Sequence, residues 1–162
     1  STMPPWFRRG IEAGNQSGDL LYLAYSAQDC IIWDPKLDLE TASRQHRDYL
    51  EIVADCKYQD SLDSGRLFLQ LQLNLLGETD GPTSLSDADF DEVACVEGML
   101  ARNFMTGIAN YHIYKAEVCL THGELAEALV HIRAEDELVA SVMSLPQLVR
   151  YRIAAFLALA AA

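Results

Sequence analysis

Long amphipathic segments open near Leu20, Gln59, Met105 and Leu145, a helical beat with a period of about forty residues. Each of the first three is followed by a turn and a second helical segment. A chain written this way folds as helical hairpins that bury their apolar stripes on one another, because no single hairpin can cover its own face. The expectation is an all-α protein of about eight helices.

Pro4 and Pro5 suit the first turn of a short helix to about Ala13, with Gly14 and then Ser17-Gly18-Asp19 as breakers. Leu20, Ala24, Ala27 and Ile31 form the next stripe, and Asp34-Pro35 ends it. Asp38 is placed to cap a helix carrying Leu39, Ala42, His46, Tyr49, Leu50 and Val53 on one side. The run Leu67 to Leu76, LFLQLQLNLL, alternates like a strand, yet it lacks β-branched residues and has no partner strand, so it reads as helix. Its leucines then occupy two faces, with Gln72 falling between them. Gly77 to Asp87 is the one long connection, and Ser86 or Asp87 is expected to cap the helix beyond it. Phe90, Val93, Ala94, Leu100 and Ala101 are expected to give that helix its core side. After a break near Asn103 come a stripe from Met105 to Leu120, a turn at His122-Gly123-Glu124, and a helix carrying Leu125, Ala128, Leu129, Ile132 and Val139. Pro146 opens a last helix expected to pack through Leu148, Val149, Phe156 and Leu159.

The chain has 162 residues, which fits one domain over 1–162, and is 50% hydrophobic, which suffices for a core. It is acidic, with 24 Asp and Glu against 12 Lys and Arg, so a nucleic-acid partner is disfavoured: that affinity needs a basic face. Cys30, Cys56, Cys95 and Cys119 are far apart in apolar stretches and read as small buried hydrophobes of a reducing cytoplasm. The opening STMPPWFRR lacks the apolar core of a signal peptide. The closing IAAFLALAAA is shorter than the about 20 residues that span a bilayer. An uncapped apolar end is what a piece cut from a longer protein would have.

Catalytic signatures do not stand out. Asp87, Asp89 and Asp91 alternate like the start of a calcium loop, but Glu92 and Gly98 hold the positions that demand Gly and Glu; a helix start explains the acids better. His131 and Glu135 lie one helical turn apart, a ligand-like spacing, while His46 and His112 fall on apolar stripes. All four histidines are assigned structural or surface roles, and no cofactor, metal or catalytic residue is expected. Tyr22, Tyr25, Trp33, Tyr111 and Tyr114 sit on the first helices of hairpins, where they either fill gaps or line a binding wall. Tyr22, Tyr25, Gln72, Tyr111 and Tyr114 are the candidate interaction residues.

Two fragments resemble tetratricopeptide-type repeats: YKAEVCLTHGELAEALVHI at 114–132, with Gly123 in the turn and the small Ala116 and Ala128 where helices approach, and YLAYSAQDCIIWDPKLDLETA at 22–42, with Asp34-Pro35 where Gly is usual. The implied fold is a right-handed stack of antiparallel hairpins, a tetratricopeptide-like α-solenoid with a period longer than the standard about 34 residues. SGDLLYLAYS at 17–26, LNLLGET at 73–79, FDE at 90–92, Asn103-Phe104 and YKAEVCLTHGELAEAL at 114–129 also resemble, in that order, the helical-repeat segment of very large bacterial signalling proteins. In that family a Ser/Thr-kinase-like region and a regulatory ATPase region precede the repeats, and GAF-type sensor and histidine-kinase regions follow. None of the family's catalytic signatures falls inside this chain. The resemblance implies a non-enzymatic module that contacts other protein segments or flanking domains, with a small-molecule sensor holding its ligand between hairpins as the alternative.

Overall fold

The computed structural model describes residues 4–32, 34 and 36–161. Trp33 and Pro35, two of the sequence signals above, lie outside the described residues. Among the described residues eight α-helices follow in order: α1 (Pro4–Ser17), α2 (Leu20–Ile32), α3 (Leu39–Asp55), α4 (Gln59–Leu76), α5 (Glu92–Ala101), α6 (Met105–Thr121), α7 (Leu125–Asp136) and α8 (Gln147–Ala161), with one 3₁₀ turn at Val139–Val142. Strand pairing among the described residues amounts to a single bridge between Asp87 and Phe90. The all-α class read from the periodicity is the observed one. The chain forms two compact units, Ser1–Gln72 and Leu73–Ala162, and the boundary falls inside α4.

In the first unit α1 and α2 approach through glycine. A methyl group at Gly14 would lie 2.9 Å from Leu23 Cβ and 3.1 Å from Leu23 Cα, and one at Gly10 would lie 2.4 Å from Ser26 Oγ. Gly14 therefore does not break the helix, as the sequence suggested; it lets two backbones meet. The break comes at Gly18, whose φ of 72° is left-handed and favours glycine. Asp19 then accepts from Tyr22 N at 3.2 Å. Gly14→Ala gains about 0.8–1 kcal/mol of helix propensity but forces a contact shorter than packed carbons allow, at a cost of about 1–3 kcal/mol. A net loss of stability in urea unfolding is the expected result; a stabilised variant would contradict the close approach.

Ala24, Ala27 and Val53 are fully buried together, with Ile11, Tyr49, Ile52, Cys56, Tyr58 and Leu62 packed around them. Asp38 caps α3 as expected, accepting from Thr41 N at 2.8 Å. One turn before Leu50 on α3, His46 is completely buried, its ring centroid 5.5 Å from that of Phe68 on α4. The LFLQLQLNLL run is helical, and every residue from Leu67 to Asn74 is buried. The alternation in this run belongs to a helix whose side chains from 67 to 74 are all buried, not to a pleat.

In the second unit the long connection is organised around Asn74. Its Nδ2 lies 2.9 Å from Ser84 O, 3.0 Å from Pro82 O, 3.0 Å from Thr79 Oγ1 and 3.3 Å from Gly81 O. Its Oδ1 faces His122 Nε2 at 3.3 Å. Two amide hydrogens are thus shared among four acceptors, and one buried side chain fixes the course of the loop. Lys115 ties the same loop to α6: its buried ammonium bonds Thr83 O and pairs with Glu92 at 3.3 Å. Asp91, rather than Ser86 or Asp87, caps α5, accepting from Val93 N at 2.8 Å and Ala94 N at 3.1 Å. The acidic run is accordingly a capped helix start.

Helix α6 packs against α5, α7 and α8. Most of its residues from Gly107 to Cys119 are buried. Gly123 makes the α6–α7 turn with a φ of 81°, and Ala128 is fully buried beyond it. Two sequence expectations are corrected here. Helix α5 turns Met99 inward and leaves Val93 and Leu100 exposed. Helix α8 packs through Gln147, Tyr151, Ala154 and Ala158, leaving Val149, Phe156 and Leu159 outside. Both helices are apolar on more than one side, so their stripes alone did not choose the buried face.

Candidate functional site

The aromatic candidates separate into surface and interior. Tyr22 is 66% exposed and Tyr25 40% exposed. Their rings meet edge to face at 6.4 Å, and Tyr25 meets Tyr58 at 5.6 Å with the two hydroxyls 3.0 Å apart. The hydrogen bond it shares with Tyr58, aided by burial, pushes the Tyr25 phenol up to about 12. Leu20 and Leu21 are exposed in the preceding turn of α2. Tyr114, by contrast, is fully buried, with Gln147 Nε2 at 3.5 Å from its hydroxyl. Gln72 is buried too, and is the polar side chain that faces His46. Neither has surface to offer a partner, because α4 and α6 are enclosed on the faces that carry them. Tyr111 is half-buried, and its ring edges onto His112 and His131 at 5.3 and 5.7 Å.

A second feature was missed by the sequence reading. Glu117, Leu120 and Thr121 of α6 and Arg150, Ile153, Ala154 and Leu157 of α8 line a cleft of about 530 Å³. Its walls are apolar apart from Thr121 and one ion pair, Arg150 Nη1 to Glu117 Oε2 at 2.7 Å. Glu117 Oε1 is buried in the same place with no hydrogen-bond partner. Burial raises the Glu117 carboxyl, and Arg150 opposes that rise. From the cleft, where Ile153 and Leu157 line the wall, α8 continues outward through Val149 and Phe156, the four side chains being from 52% to 71% exposed. The spacing is i, i+4, i+7, i+8, one continuous helical stripe. Such a stripe follows directly from the sequence; that it faces outward does not.

The histidines form the third feature. His131 does not meet Glu135. Its Nδ1 lies 2.9 Å from Nδ1 of His112, across the α6–α7 hairpin. Burial lowers both imidazoles; His131 falls to about 4, with the neighbouring His112 and then Lys115 contributing. Glu135 is buried with neither carboxylate oxygen hydrogen-bonded, and burial pushes it up to about 7. Among the described residues no disulfide forms: Cys30 and Cys119 are buried, Cys56 and Cys95 half-buried. Among the described residues no three His, Cys, Asp or Glu side chains converge as a ready-made metal cage. None of the helices there is long and apolar enough to cross a membrane.

No family model, curated protein or solved structure matches this chain.

Proposed function

We propose that this chain is a non-catalytic helical module of a bacterial signal-transduction ATPase or sensor kinase, working in the cytoplasm, and that it makes contacts with other segments or flanking domains of the same protein. The observation that carries the reading is the outward stripe of α8 beside the α6–α8 cleft. Exposed apolar side chains are ordinary when scattered, but four on one helical face adjoining an apolar cleft are the mark of a contact surface. The fitting partner is an apolar helix face with a hydrogen-bond donor opposite Glu117 Oε1. The repeat-like sequence around Gly123 and Ala128 supports the same reading, since stacked hairpins bind through faces their neighbours leave open.

Burying a phenylalanine or isoleucine side chain contributes roughly 1.5–3 kcal/mol. In the full-length protein, Ile153→Asp together with Phe156→Asp is therefore expected to weaken the contact by about a hundredfold or more. Because both side chains already face water, the melting temperature of the module itself is expected to hold. A variant that melts normally and keeps its contacts would overturn the proposal.

The cleft also suits the alternative reading, a small-molecule sensor. Its volume lies in the range of ligand pockets, and an apolar wall with an unpaired carboxylate oxygen fits a small apolar amine. Saturable thermal stabilisation by such an amine, abolished in Glu117→Gln, would favour the sensor over the docking surface.

A further inference from the structure

We propose that the α6–α7 hairpin carries a transition-metal site in which Nδ1 of His112 and Nδ1 of His131 are two adjacent ligands of a nickel- or copper-type divalent ion, with water filling the other positions. The two rings come from different helices whose packing fixes them: α6 and α7 pack closely, with Ala116 and Ala128 fully buried. A pair held by rigid helices loses little freedom when an ion arrives. Both rings are half-buried, so one side remains open to solvent.

The geometry selects the class of ion. With metal–nitrogen bonds of about 2.0–2.1 Å, a separation of 2.9 Å subtends roughly 90° at the metal. That is the angle between neighbouring ligands of a tetragonal or octahedral ion, the preference of Cu(II) and Ni(II), and it is too tight for tetrahedral zinc. The rings must turn about their Cβ–Cγ bonds so that both lone pairs converge on one point.

Proton balance follows from the contact itself. With both imidazoles neutral, one Nδ1–H donates to the other Nδ1. On binding, the donor ring's proton leaves Nδ1 and its Nε2 gains one from solvent, so each ring ends with a metal at Nδ1 and a proton at Nε2. The ion enters with no net release of protons. Burial favours the neutral rings that this requires. Glu127 stands one helical turn before His131 on α7, and its negative charge opposes that of Lys115 at the site.

The test is calorimetric titration of the whole chain with Ni²⁺ at pH 7.5 in two buffers of different protonation enthalpy. One equivalent is expected to bind with a heat that does not depend on the buffer. Affinity should fall by roughly tenfold or more in His112→Gln and in His131→Gln, and should be unchanged in Glu135→Gln. The wild-type chain supplies a second readout that does not depend on how well a histidine variant folds. Substoichiometric Ni²⁺ should broaden the imidazole NMR signals of His112 and His131 before those of His46 or His122. No one-equivalent binding, equal affinity in the histidine variants, a heat that tracks the buffer, or first broadening at another histidine would each overturn the proposal.

Discussion

Asn74→Asp lowers the stability of the second unit by about 3–5 kcal/mol at pH 7, the usual cost of an uncompensated buried charge. The substitution is nearly isosteric, so the loss comes from chemistry alone. The amide that donates toward Ser84 O, Pro82 O and Gly81 O becomes a carboxylate facing three carbonyl oxygens at about the same short range. Asn74→Ala only removes the donor and is expected to cost about 1–3 kcal/mol. The order, aspartate worse than alanine, is the discriminating result in urea unfolding. The sign of its pH dependence follows as well. Carbonyls around a buried carboxyl raise its folded pKa, so the penalty is full above that pKa and shrinks as acid protonates the group. Equal losses for the two variants at pH 7 would mean that Asn74 does not organise residues 77–91.

Acid should unfold the first unit through His46. Burial lowers its folded pKa to about 4 from the ordinary 6.5, with Gln72 opposing the shift. The depressed value means that the unfolded chain binds the proton more tightly. Stability is therefore intact above pH 6.5 and is lost as the pH falls toward 4, by about 2–3 kcal/mol for the one group. The ring sits against Phe68, and a methyl group at the facing Gly65 would lie 3.6 Å from His46 Nε2. There is accordingly little space for a charged imidazole to gather water. His46→Leu removes the titration and should flatten this part of the curve. Parallel acid curves for wild type and variant would contradict the assignment.

These two side chains also mark how far the sequence could be read. His46 stood on the apolar stripe of α3, and its burial was legible there. The helix starts and stops were legible where a local group sets them: Asp38 caps α3, Gly123 turns α6 into α7, and Asn103 adopts a φ of 56° where the break before α6 was expected. Reading the Leu-Gln alternation as helix rested on side-chain chemistry rather than on period, and that argument held against the apparent pleat. Asn74 was invisible, because its partners lie within a loop whose path periodicity does not describe. The His112–His131 contact spans nineteen residues across a hairpin, and only the register of that hairpin creates it. Helix α8 resisted for another reason. Its sequence QLVRYRIAAFLALAA is apolar nearly all round, so the choice of buried face belonged to its neighbours.

That choice is the centre of the functional account. Small and polar residues of α8 went inside, and Val149, Ile153, Phe156 and Leu157 were left facing out beside a cleft. A module built to contact other protein segments needs a face of this kind; an isolated globule would gain by burying it. Photocrosslinking from a benzophenone amino acid placed at Phe156 in cells that make the protein tests the claim most directly. The account predicts efficient crosslinks to one defined protein segment, lost on Ile153→Asp. No crosslink to any protein segment, or crosslinks scattered over many segments and unchanged by Ile153→Asp, would contradict it.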